Sequence, residues 1–285
     1  PEARAGEKTP RRVSWVARHL LARRAPYLPL TESNMQLKRA FAVLALAAPL
    51  LAAGTLTKGA TLLALTTNGE FVELDAESGK SARLGGSVPS GGHQYASDAL
   101  ILPGNQGVLV THLSIGANTC QTRVIRVDPR SGKTLDAWPA LDGALDALCH
   151  DGAGSALAVG GSSRPLKLLR LELDKRAVQQ VGVLDVRLGI VSLANDPEGQ
   201  LWGLHLRTKE LDHDALVRFD RATGAALEIV RLGVPTLALA LEIDARGRFL
   251  VAADHDALHE VAPKSGKVLR SMRTESMRII ALDPL

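Results

Sequence analysis

The chain predicts an all-β fold, and three observations carry that reading. Short apolar runs such as Leu201–Leu206, Leu216–Phe219 and Leu227–Arg231 are separated by turn residues about every eight to twelve positions, the spacing of an up-and-down meander. A turn glycine recurs at Gly107, Gly154, Gly199 and Gly247, in steps of 47, 45 and 48 residues. A strand ending in an acid recurs as Glu73-Leu74-Asp75, Arg126-Val127-Asp128, Glu172-Leu173-Asp174 and Arg218-Phe219-Asp220, and in degenerate form as Glu260-Val261-Ala262. Ser-Gly-Lys or Thr-Gly follows four of these anchors, and Lys175-Arg176 stands in the third.

Two independent landmarks with one period of about four strands give the length of a propeller blade. In the first unit, strands flank the Asn68-Gly69 hairpin signal, but the strand and acidic turn that open every other unit are missing there. That piece stands at the far end, where Met277 to Asp283 matches Leu237 to Asp244 and Val191 to Asp196. A C-terminal strand completing the first blade closes the ring and removes exposed sheet edges. Five anchors then predict a five-bladed β-propeller.

The segment before this repeat is different. Residues 1–34 hold seven basic residues against three acids, without alternation, and read as a basic leader of upstream or unstructured sequence. Residues 35–54 run from Met35 through Lys38-Arg39 and an apolar stretch to Ala52-Ala53-Gly54, the layout of a secretory signal peptide. That stretch is short for a membrane span, which takes roughly 20 residues. Gly54 stands where a lipid-anchored signal would need Cys. Residues 55–285 make the propeller domain, with 25 basic and 27 acidic residues. The basic excess of the whole chain therefore sits outside the domain and argues for no nucleic-acid partner. The expected setting is periplasmic or secreted, as a monomer with no membrane span after signal cleavage.

From about Leu62 onward, the acidic-Gly turn, the "L-x-R-x-D" strand and the "T/S-G-K" turn resemble the bacterial quinoprotein-like or YVTN-type β-propeller repeat, a member of the wider WD40-like group. The resemblance implies architecture. Propellers of this kind include binding scaffolds, lyases, cyclotransferases and hydrolases. The chain lacks a regular blade-end Trp, and aromatics make up 3% of it, few for a stacking platform.

In such a ring, the loops between second and third strands share one rim with the links between blades. That places Gly85 to Ser97, Ser114 to Gln121, Arg207 to Asp214 and Asp254 to Asp256 together, opposite a rim of short turns. Loops on a rigid scaffold carry function, so the long-loop rim is the candidate binding face. Asp212-His213-Asp214-Ala215-Leu216 recurs as Asp254-His255-Asp256-Ala257-Leu258, 42 residues on. Carboxylates flanking imidazole suit a divalent metal such as Ca or Zn, or acid/base work. They equally suit polar hairpins whose Asp side chains cap turn amides. His93 and Tyr95, in the glycine-rich stretch SGGHQYAS, are further ligand candidates near the channel mouth. His112 and His205 share one register of the second strand and read as packing or hydrogen-bonding residues.

No G-x-S-x-G elbow, Walker A loop or H-E-x-x-H occurs. Cys120 and Cys149 are expected at opposite rims, too far apart for the roughly 7 Å that a disulfide spans between Cα atoms. The sequence therefore points to an exported scaffold that binds an envelope protein or a small ligand on its long-loop rim without catalysis. The competing expectation is a propeller enzyme of lyase, lactonase or cyclotransferase type, using metal or acid/base residues at that rim.

Overall fold

A computed structural model describes residues 61–88, 94–103, 107–115, 120–152, 154–161, 164–234, 237–253, 256–274 and 279–284. The basic leader and the signal segment lie outside the described residues. Five antiparallel sheets form the molecule, one for each predicted blade. The first contains β1 (Thr61–Thr66), β2 (Glu70–Asp75) and β3 (Ser81–Ser87). The second contains β4 (Gln94–Ile101), β5 (Val108–Ile115), β6 (Cys120–Val127) and β7 (Thr134–Ala137), with the two-residue β8 (Leu141–Asp142) pairing back on β6. The third runs through β9 (Ala144–His150), β10 (Ser155–Gly161), β11 (Lys167–Glu172) and β12 (Ala177–Val183). The fourth has β13 (Ile190–Asn195), β14 (Leu201–His205), β15 (Ala215–Phe219) and β16 (Ala226–Arg231). The fifth has β17 (Ala238–Ile243), β18 (Phe249–Ala253), β19 (Ala257–Val261) and β20 (Val268–Arg273).

The last strand, β21 (Ile279–Pro284), does not start a sixth blade. It pairs antiparallel with β1, Leu63 opposite Asp283 and Ala64 opposite Leu282, and becomes the inner strand of the first sheet. The inner strands β21, β4, β9, β13 and β17 neighbour one another in a closed ring. The chain is a five-bladed β-propeller closed by its C-terminal strand, as the repeat count requires.

Each blade buries both faces, which explains why the inner and second strands are apolar almost throughout rather than strictly alternating. Five hydrophobic clusters fill the five spaces between neighbouring blades. Leu157, Leu168, Leu193 and Phe219 meet between the third and fourth blades. Leu62, Leu74, Leu250 and Leu282 meet across the closing seam between the fifth and first. Trp202 stands edge-on to Phe249 at 5.0 Å between the fourth and fifth.

The repeated acid is a turn cap. Asp75 Oδ1 accepts the amides of Glu77 and Ser78, Asp128 Oδ1 that of Arg130, and Asp220 Oδ1 those of Ala222 and Thr223. This is the local bond that lets Asp open a tight turn. The turn ends in a residue with positive φ, which is glycine in four blades: Gly79, Gly132, Gly224 and Gly266. In the third blade Arg176 adopts φ 51° there, a conformation that costs an L-residue.

Two predicted loops are shorter than the sequence suggested. β4 begins at Gln94, so Tyr95 and Ser97 belong to an inner strand; Tyr95 pairs with Leu113, and the register shifts between Ala96 and Asp98. Cys120 opens β6 opposite Ile115 rather than lying in the loop before it. In both places the strand ladder extends past the polar residues that looked like loop. Cys120 and Cys149 carry free thiols. Burial raises the Cys120 thiol to about 11 and pushes the Cys149 thiol up further.

Candidate functional site

The loop between β14 and β15 is the best-defined part of the long-loop rim. His205 is fully buried beneath it: its Nδ1 accepts the Gly189 amide at 2.9 Å, which leaves Nε2 to donate toward the Leu211 carbonyl at 3.4 Å. Thr208 turns the loop through its own amide, which donates to the Leu211 carbonyl, and its hydroxyl accepts the Leu211 amide and donates to Arg187 O. The Asp214 carboxylate is buried, takes the Arg207 amide and guanidinium, and also accepts the Ala238 amide of the next blade. One acid thus closes the loop and ties two blades together.

Of the first Asp-His-Asp set, Asp214 is consumed in this structural role. Asp212 and His213 remain at the surface, 3.2 Å apart, with His213 half-buried and Asp212 almost fully exposed. The hydrogen bond from His213 holds the Asp212 carboxyl below its ordinary range. In the second set, Asp256 has φ 66° and its carbonyl accepts the Thr274 amide, as the Asp214 carbonyl accepts that of Leu232. The two loops share this backbone bond at their third residue, but only Asp256 has a positive φ there. Asp254, His255 and His93 lie outside the described residues, and so does the side chain of Tyr95. Among the described residues, no three His, Cys, Asp or Glu side chains come together in a set that could hold a metal ion.

Around this loop the rim is continuous. The segment entering β11 supplies Arg164, whose guanidinium donates to Val186 O at 2.7 Å and lies 3.6 Å from Glu210. The link between the third and fourth blades supplies Asp185 and Arg187, paired at 2.6 Å, with Val186 between them 54% exposed. Three segments from two blades therefore form one surface of paired charges around an exposed apolar residue.

A second group of ionisable residues lies in the interior, where sequence reading did not place a site. The inner strands carry Asp98 on β4, Asp146 on β9, Glu242 on β17 and Asp283 on β21, all buried. Asp98 accepts the amides of Ala99 and of Leu148 on the next blade. Asp283 accepts the amide of Ile101, also one blade on, and its Oδ2 lies 3.6 Å from His150 Nε2. On β13 the place of Asp98 is taken by Ser192, whose hydroxyl accepts the Leu241 amide. Asp98, Asp283 and Ser192 thus stitch the free edges of their inner strands to the next blade, where amides would otherwise be left unpaired. Burial raises the Asp98, Glu242 and Asp283 carboxyls, while hydrogen bonding to Asp283 raises His150. The legible signal was a single acid inside an apolar inner strand: ASDAL, ALDAL, ALEI and IALD.

The sequence matches no family model and no curated protein. Solved structures share the fold. A protein of unknown function from Bacteroides caccae superposes with a TM-score of 0.50 at 14% identity, covering 78% of this chain and 85% of its own. A chain of a nidogen/laminin complex gives 0.48 at 10% identity, over 79% and 98%. At 14% identity the likeness to the Bacteroides caccae protein is one of fold alone.

Proposed function

We propose that the protein is an exported binding scaffold, periplasmic or secreted, that takes a protein partner or small ligand on the rim formed by residues 164–166, 184–189 and 206–214. The observation that carries this reading is the rigidity of that rim. Buried His205, Thr208 and Asp214 hold the β14–β15 loop from beneath, while Val186, Arg187, Lys209 and Asp212 face outward. A surface ordered in advance loses less entropy on binding. Of the interior acids, Asp98 and Asp283 are engaged in joining blades. The repeat motifs support a quinoprotein-like kinship, and the segment from Met35 to Ala53 supports export.

The test is site-specific photo-crosslinking in an envelope extract. A crosslinker at Asp212 should trap a defined adduct, which Val186→Asp with Lys209→Glu should abolish while leaving the melting temperature within about 2 °C. Crosslinker at Glu198 or Ala222, on the opposite rim, should trap none. Adducts formed from the short-turn rim alone would exclude the long-loop rim as the binding face.

A further inference from the structure

The seams on either side of β21 differ by one missing hydrogen. Asp283 meets the Ile101 amide of β4. One blade earlier, Glu242 stands at the corresponding position of β17: it lies opposite the second residue of β18, Leu250, next to Ile243 opposite Phe249. Phe249, Val108 and Leu62 are equivalent, because each faces the last residue of the third strand before its turn: Val261, Val127 and Leu74. Ile101 lies opposite Val108 and Pro284 opposite Leu62. The residue of β21 that should offer an amide to Glu242 is therefore Pro284, which has none. Among the described residues, the amide that Glu242 meets is that of its own neighbour, Ile243.

The charges around this position are mostly of its own sign. Asp283 acts on it from β21, Asp98 from β4 and Asp244 from the end of its own strand, where Arg248 pairs with Asp244 at 2.7 Å. From β9, Asp146 acts on Asp98, His150 faces Asp283, and the un-ionised thiol of Cys149 lies within reach of the Glu242 charge. From β13 comes only the hydroxyl of Ser192, which is occupied by Leu241. A buried carboxylate without a facing amide or cation is costly as an ion and cheap as a neutral acid.

We propose that the closing seam is a proton-held latch: Glu242 is carried as a neutral acid beside Asp283, so that closing the ring takes up protons and rising pH loosens β21.

The sign follows from the directions already given. Asp98, Glu242 and Asp283 are raised by burial in the folded state, and His150 is raised by its bond to Asp283. Each contributes stability that is complete below its unfolded value, about 4 for the acids and about 6.5 for the histidine, and is lost as pH rises through the folded value. Glu77, at the outer end of the same seam, is lowered despite its desolvation by Arg248, Arg270 and Arg246, and works the other way, losing its contribution as pH falls below about 4. The latch therefore begins to loosen above about pH 4 and loosens further as pH rises through the folded values.

The experiment uses the whole chain. Thermal melts between about pH 5 and about pH 9 should show a midpoint that falls toward the alkaline end. Hydrogen exchange, corrected for its intrinsic pH dependence, should accelerate in β21 and β1 before β14 and β15. Glu242→Gln should leave the acid-side midpoint in place and raise the alkaline one by about 3 °C or more. Pro284→Ala restores an amide that favours the ionised acid, lowers its folded value, and should make the alkaline fall shallower and complete at lower pH. A protonated-carboxyl stretch should be visible by infrared at neutral pH and vanish in Glu242→Gln. A flat wild-type profile, absence of that stretch, or a Glu242→Gln loss equal at both ends of the range would overturn the proposal; the wild-type profile and stretch decide it even if the variant fails to fold.

Discussion

Two seams of the ring use one device, a carboxylate held by arginines, with the acid supplied from opposite sides of the seam. Between the third and fourth blades, Asp151 in the turn after β9 has a nearly covered side chain that receives Arg221 from the turn after β15, which also donates to His150 O, Asn195 Oδ1 and Gly199 O; Arg170 joins from β11. Between the fifth and first blades, the turn after β2 offers the acid instead. Glu77 meets Arg246 and Arg248 from the turn after β17 and Arg270 from β20. The two differ in burial: the Asp151 side chain is 7% exposed and that of Glu77 40%. The first seam joins blades consecutive in the chain, and the second must hold two ends of the chain together. At the closing seam the bridging acid is the exposed one, so most of the work of closure falls on the apolar cluster around β21.

That contrast predicts the largest effect. Deleting residues 277–285 removes β21, and with it buried Ile279, Ile280 and Leu282. Each such side chain contributes roughly 1.5 to 3 kcal/mol, together a large part of the roughly 5 to 15 kcal/mol of a typical domain. The truncated chain should aggregate through the exposed edge of β1, whereas removal of residues 1–53 should leave the cooperative melt unchanged. Size-exclusion chromatography and calorimetry distinguish the two, and a monomeric, cooperatively melting truncation would mean that β21 does not close the ring.

The two clamps should then rank by burial. Asp151→Ala strips a buried anchor from two arginines and should cost about 2 kcal/mol or more in urea unfolding. Glu77→Ala, with three arginines around it, should cost under about 1 kcal/mol, and the loss should shrink further in molar salt. Equal losses would mean that exposure does not decide what these clamps contribute. The smallest change sharpens the comparison within the turns: Arg176→Gly relieves a positive φ but gives up the 2.9 Å pair with Asp136, for a net gain of about 0.5 kcal/mol.

The polar residues were harder to read than the blades. Asp212-His213-Asp214 looked like one chemical unit because its residues are adjacent. In the fold they separate: Asp214 turns inward to Ala238 of the next blade, while Asp212 and His213 face solvent. Conversely Asp98, Asp146, Glu242 and Asp283 are far apart in the chain and are gathered only when the five inner strands close the ring. His205 was legible as a hydrogen-bonding residue, but not the loop it supports, because its partners Gly189 and Leu211 arrive from segments on either side.

By itself, the sequence determined what depends on local and periodic physics. Turn-capping acids, positive-φ glycines and two-sided apolar strands recur with one period, and that period sets the blade, the count of five and the strand held in reserve at the C-terminus. The tertiary structure alone decided what each polar side chain is for. An inner-strand amide is satisfied by whichever side chain the neighbouring blade presents, and that pairing joins positions about fifty residues apart or, between Asp283 and Ile101, the two ends of the domain.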